Sequence, residues 1–259
     1  MNRKKLTLLL LGLSLFALNG CKKEAAENDG AENQTKEEQD RRAIFVAHNH
    51  KDYERTLQLI GTFLNDHTQS KHEQPLRLMT ADVLYEQEAY HAAYDAYRIY
   101  EQNYPASTRA EYAAYKAAHA KFNQANRIDC DSTPTEAAVL LCQEYKARTD
   151  YQQYRRQIED LENTCQQRLV NKEFYVANTY MTQQRFASAR KRLEHIEDKF
   201  DLELFGGADK LNFYKAKLAK QENNTEELAT LIGELETGHP QSKFTAMAQQ
   251  LTKPGLLFG

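Results

Sequence analysis

The sequence predicts an all-α fold, a solenoid of about five stacked helix pairs that follows a short leader and a flexible tether. Three observations carry this. Ala, Gln, Glu, Lys, Leu and Arg dominate while Val and Ile are sparse, and the abundant residues are strong helix formers. Neither Gly nor Pro occurs between Pro134 and Gly206, so polar turns must separate the helices there instead of the strongest breakers. Small and apolar residues also recur in register when the chain is slid along itself.

The first element is the leader, residues 1–20. Arg3, Lys4 and Lys5 form a basic stretch, and Leu6 to Leu18 is uncharged and Leu-rich. That apolar run suits a signal peptide and falls short of the roughly 20 residues that span a bilayer. Leu18-Asn19-Gly20-Cys21 follows. It resembles the lipobox of bacterial lipoproteins, in which a small residue precedes an acylated cysteine. The resemblance implies a membrane anchor at Cys21. Several acyl chains hold a protein firmly where one does so only marginally. Lys22 stands where an Asp tends to retain such proteins in the inner membrane, which implies the periplasmic side of the outer membrane.

The second element is the tether, residues 21–40. After Cys21 it holds three Lys against seven Asp or Glu and no aromatic residue, the composition of a solvated, unpacked segment. From Arg41 onward 28 basic residues face 30 acidic ones. Without a bulk basic field, nucleic acid is not an expected partner.

The third element is the repeat domain, residues 41–255. Between Leu78 and Ser107 the key positions are Ala81, Tyr90, Ala93, Tyr97, Tyr100 and Pro105. A shift of 96 residues places Ala177, Phe186, Ala189, Leu193, Ile196 and Asp201 on them. A shift of 135 gives Ala216, Leu228, Ile232, Leu235 and Pro240, with Ser242 on Ser107. A shift of 37 in the other direction gives Ile44, Tyr53, Thr56, Ile60 and Phe63, with Ser70 on Ser107. Small residues let two antiparallel helices approach closely, and apolar residues four and seven positions later cover the seam. The middle is irregular. Ala110 to Asn123 reads as a helix, Asn126 to Pro134 as a polar loop, and Thr135 toward Gln167 as helix with an internal cap and break at Asp150 and Gln153. Thr133-Pro134-Thr135-Glu136 and Thr108-Arg109-Ala110-Glu111 read as capped helix starts.

This pattern resembles the tetratricopeptide repeat, a helix–turn–helix unit of about 34 residues. A narrower resemblance lies in Arg168-Leu169, Glu173, Val176-Ala177, Tyr180, Phe186 and Arg192-Leu193-Glu194, together with Tyr104-Pro105-Ala106-Ser107. These are similar to the BamD family of outer-membrane assembly lipoproteins, and the likeness runs over about residues 40–250. Thr149-Asp150 and Asp201 depart from the family's Tyr-Pro and Pro. The resemblance implies a lipoprotein subunit of the β-barrel assembly machine. Its partners would be the POTRA domains of the barrel subunit, other assembly lipoproteins and unfolded outer-membrane protein clients. It also implies that Arg192 meets a POTRA domain and that residues 41–123 receive clients.

The residues add their own candidates. Arg185, Arg190, Lys191 and Arg192 form a basic cluster with no acid among them, suited to partner carboxylates or simply to a solvated helix face. Tyr85 and Tyr94 belong to a dense tyrosine series and are candidates for lining a client groove; packing in the core is the competing reading. Cys130 and Cys142 stand on either side of one loop and are candidates for a disulfide in an oxidising compartment, with Cys165 left over.

No Zn-ligand spacing, phosphate loop, nucleophile elbow or paired-carboxylate motif appears. His48 and His50, two apart, fall on different faces of a helix. The expectation is a protein without catalysis, cofactor or metal. The alternative to the assembly machine is another repeat-containing envelope adaptor, serving cell-wall synthesis or polysaccharide export.

Overall fold

Small side chains sit where helices cross. In the computed structural model, which describes residues 35–125, 131–205 and 207–253, Ala81, Ala93, Ala177, Ala189 and Ala216 are fully buried. Among the described residues there is no strand. The helices are α1 (Lys36–Asn49), α2 (Tyr53–Asp66), α3 (Glu73–Glu86), α4 (Tyr90–Asn103), α5 (Ala110–Asn123), α6 (Thr133–Ala147), α7 (Arg155–Thr182), α8 (Phe186–Lys199), α9 (Leu202–Phe205), α10 (Ala208–Gln221), α11 (Thr225–Gly238) and α12 (Lys243–Gln250). They pack as five consecutive pairs, α1/α2, α3/α4, α5/α6, α7/α8 and α10/α11, with α12 closing the last pair. The faintest repeat in the sequence packs in phase with the others, since Ile44, Thr56, Ile60 and Phe63 are all buried.

Four of the turns inside pairs share one backbone device. Lys51, Glu88, Gln184 and Asn223 have φ between 57° and 60°, and they sit at the same phase as the buried positions. The N–H of the next residue reaches back five positions in each case: Asp52 to Ala47, Ala89 to Leu84, Arg185 to Tyr180, Asn224 to Ala219. This is the Schellman closure of a helix C-terminus, usually made by Gly. Here Lys, Glu, Gln and Asn adopt the left-handed conformation instead.

The turns between pairs have their own recurring clasp. Ser70, Ser107 and Ser242 each accept, on the side-chain oxygen, the N–H two residues on, from His72, Arg109 and Phe244. Ser70 and Ser242 also donate to Glu37 and Asp209 at the start of the preceding first helix, both at 2.5 Å. Ser107 meets the Tyr100 hydroxyl at 3.0 Å, to which Gln74 donates. One serine thus ties a pair's first helix to the start of the next.

Several local expectations need correction. The tether was expected to run to residue 40, yet α1 starts at Lys36. Thr35 caps Glu38 N, Glu37 and Glu38 lie in the first turn, and Lys36 pairs with Asp66 at 3.3 Å. Acids that suggest a solvated segment are favourable at a helix N-terminus. Neither Thr133 nor Thr108 caps a helix by its side chain. The α6 N-cap is Ser132, whose hydroxyl meets Glu136 at 2.9 Å, and Thr133 is held by Asp131.

The opened middle is strapped from outside. The break falls at residues 148–154, as Asp150 and Gln153 suggest, but Asp150 pairs with Arg148 instead of capping. Glu111, expected to cap α5, accepts the N–H groups of Gln153 and Tyr154 and the Tyr145 hydroxyl. Tyr151 is buried and donates to Glu101 at 3.2 Å. Tyr154 stacks on Tyr115 at 4.6 Å and 12°. The 28-residue α7 then serves two neighbours. Ile158, Leu161 and Cys165 pack with α6, and Val170, Phe174, Ala177 and Met181 pack with α8.

Candidate partner-binding surface

The four basic residues at the start of α8 separate by function once folded. Arg190 is engaged within the chain. Its guanidinium takes Glu227 in bidentate fashion at 2.8 and 3.1 Å and also meets Glu222. The hydrogen bonds from Arg190 hold the Glu227 carboxyl below its ordinary pKa. Such a planar fork is the geometry that Lys does not reproduce, and it ties α8 to the α10–α11 turn. Arg192 is 42% exposed and pairs with the more buried Glu173 of α7 at 3.1 Å. Lys191 and Arg185 are exposed, and Arg185 stacks over Tyr180 at 4.8 Å.

The cluster is therefore acid-free along the chain but not in space. Glu173, Glu222 and Glu227 come from three other segments, which no local pattern reveals. Leu193 and Ile196 enter the seam, buried, while Arg192 stays half-exposed beside them. Glu173 holds its fork in place without covering it.

In the N-terminal half the structure places Tyr85 and Tyr94 on the seam of α3, α4 and α5, both half-buried. Lys116 sits 3.4 Å from the Tyr85 ring centre, and the Tyr85 hydroxyl accepts from Asn123 at 2.9 Å. Lys121 covers Tyr94 at 4.3 Å. Their rings are thus in use inside the fold. A cavity of about 530 Å³ lies instead between the first helices of the N-terminal pairs, where Phe45, Pro75, Met79, Asp82 and Arg109 line it. Asp82 anchors its wall by accepting the hydroxyls of Tyr97 at 2.6 Å and Tyr112 at 2.8 Å. Burial and the Asp82 charge push both tyrosine hydroxyls well above their usual range. Phe45 on α1, which lines this cavity, is 43% exposed.

Cys21 and Cys130 lie outside the described residues, and the expectations placed on them lie there too. Cys142 and Cys165 are fully buried free thiols in one core cluster, and burial pushes both up to about 12. They pack as small apolar groups. Among the described residues no group of three or more His, Cys, Asp or Glu side chains is placed to hold a metal ion, and no helix is long and apolar enough to cross a membrane.

The described residues thus define a helical-repeat solenoid with a half-exposed arginine held on its fourth pair and an open cavity on its first pairs. Compared with known proteins, the chain matches no protein-family model and no curated protein.

Proposed function

We propose that this protein is a non-catalytic lipoprotein subunit of the outer-membrane β-barrel assembly machine. It is anchored through Cys21 on the periplasmic side of the outer membrane, docks on POTRA domains of the barrel subunit and helps insert unfolded outer-membrane proteins. The observation that carries the reading is Arg192. It stands in the stretch that resembles the assembly lipoproteins, and it is half-exposed with its guanidinium steadied by Glu173. A pre-positioned arginine loses less freedom when it meets a partner carboxylate than a mobile one would. The strapped third pair fits the same reading, because the resemblance runs through an opened middle repeat. Lys191 and Arg185 would contribute rim charge that speeds encounter, while Arg190 supports the surface from within.

The test is co-purification from detergent extracts of cells carrying tagged full-length protein. Recovery of a POTRA-bearing barrel protein in stoichiometric amount is expected. Recovery of peptidoglycan enzymes or export subunits in its place would overturn the reading in favour of the envelope-adaptor alternative.

A further inference from the structure

The end of α12 returns the chain to the turn between α10 and α11. The Lys220 ammonium, in the last turn of α10, donates to the Leu251 carbonyl and pins the chain there. The Lys253 N–H then closes the helix end on the Gln250 carbonyl at 3.2 Å. Leu251 is buried in the last core cluster, and Leu228 packs against that cluster only partly buried. Beside them a cavity of about 380 Å³ opens, lined by Lys220, Asn223, Leu228, Ala229, Leu251 and Thr252 among others. Its apolar wall is continuous with the core of the last pair, and Ala229 on that wall is exposed. The end of a solenoid has no next repeat to cover it and needs a cap.

The sequence supplies an occupant at the mouth of this cavity. Residues 254–259, which lie outside the described residues, read Pro254-Gly255-Leu256-Leu257-Phe258-Gly259, with three large apolar side chains and no charged one. Pro-Gly is a turn pair, and it stands directly after Thr252 and Lys253, where the chain leaves the cavity rim. Three residues beyond a reversal span at most about 11 Å, which suffices to re-enter a cavity whose rim the chain itself forms. In water the Leu-Leu-Phe run would leave apolar surface hydrated, whereas in the cavity it covers Leu228 and Ala229. Asn223 and Thr252 at the rim offer polar partners to the backbone of an entering segment. We propose that residues 256–258 fold back into the α10–α11 cavity of their own chain and cap the C-terminal end of the solenoid. Leu256 and Phe258, two apart and so on one side of an extended segment, seat against Leu228, Ala229 and Leu251. The site shares no residue with the Arg192–Glu173 pair and does not depend on the assembly-machine reading.

The test is tryptophan fluorescence. The chain contains no tryptophan, so Phe258→Trp gives the purified full chain a single reporter. Asn49→Trp, exposed at the end of α1, is the reference for a solvated one. The Phe258→Trp emission is expected to be blue-shifted from the reference and several-fold less quenched by acrylamide. Adding Ala229→Glu, a charge placed in the cavity wall at an exposed helix position, should return both readings to the reference values. In the chain without tryptophan, Phe258→Ala should lower Tm by roughly 2–5 °C. After Ala229→Glu the same change should lower it no further, because the two side chains act as one contact. A reporter as exposed as the reference would overturn the proposal, as would a shielded one that Ala229→Glu leaves unmoved. Shielding that disappears on dilution would also overturn it, since the segment would then be seated in a second copy.

Discussion

Glycine at the four left-handed turn positions should stabilise the protein, which is the opposite of what glycine does almost everywhere else in a helical chain. Lys51, Glu88, Gln184 and Asn223 hold φ values of 57°, 60°, 57° and 59°, and all four side chains are exposed. The left-handed conformation costs an L-residue roughly 1–2 kcal/mol, and glycine's greater loss of backbone freedom takes back about 0.5–1 kcal/mol. Glu88→Gly should therefore gain about 0.5–1 kcal/mol. For a chain of this size that is a rise of about 1–4 °C in Tm. Lys51→Gly and Gln184→Gly should behave alike. Asn223→Gly should gain least, since Asn tolerates this conformation. The control is Gln157→Gly, exposed in the first turn of α7, where glycine in place of a good helix former should lose up to about 1 kcal/mol. Urea titration of each variant by circular dichroism, with the four turn changes then combined, gives the comparison. The four sites lie in separate turns and should add. A loss at Glu88 equal to that at Gln157 would refute the in-phase closure of the turns.

Ala177→Leu should destabilise by about 1–3 kcal/mol, because the residue is fully buried at the α7–α8 crossing and extra methylenes overpack such a site; denaturant titration reads it. His119 is half-buried, its buried Nε2 lacks a partner among the described residues, and desolvation pushes it down to about 4 from the usual 6.5. A depressed folded pKa means that the unfolded chain binds the proton first, so His119 favours folding fully above about 6.5 and loses that share as pH falls toward about 4. His119→Phe should flatten the fall in stability between pH 6.5 and 4 by up to about 3 kcal/mol, and an unchanged pH profile would remove His119 as its cause. Cys21→Ser should abolish lipid labelling and release the protein from membranes on fractionation; continued labelling would sink the anchor.

The repeat phase was legible because buried positions leave a mark on composition. Even the faint match of Ile44, Thr56, Ile60 and Phe63 marks residues that are buried. Ser70, Ser107 and Ser242 also stood in register, and the structure supplies the reason in their shared clasp at the start of the next pair. The turn device was hidden. Its signature is a backbone angle carried by Lys, Glu, Gln and Asn, where glycine would have announced it. The caps at Thr133 and Thr108 failed because Ser132 and Arg109 stand at the N-cap positions, and Asp131 and Ser107 hold the entering chain through the N–H groups of Thr133 and Arg109. The charge cluster at Arg185–Arg192 was visible only as half of its electrostatics. Glu173, Glu222 and Glu227 reach it from 19 to 37 residues away.

The central claim is that the protein docks on a POTRA domain through Arg192, and affinity for the periplasmic domains of the cognate barrel protein measures it directly. The wild type, Arg192→Leu and Arg192→Lys would be compared by titration calorimetry at two salt concentrations, with circular dichroism showing that each is folded. Removing one partner of a desolvated charge pair costs on the order of 2–5 kcal/mol, whereas a rim charge mainly alters the on-rate. The account predicts micromolar or tighter binding by the wild type, a loss of at least tenfold in Arg192→Leu, and a smaller loss in Arg192→Lys. Equal affinity in all three would take Arg192 out of the interface, and no binding by the wild type at either salt concentration would contradict the assembly-machine function itself.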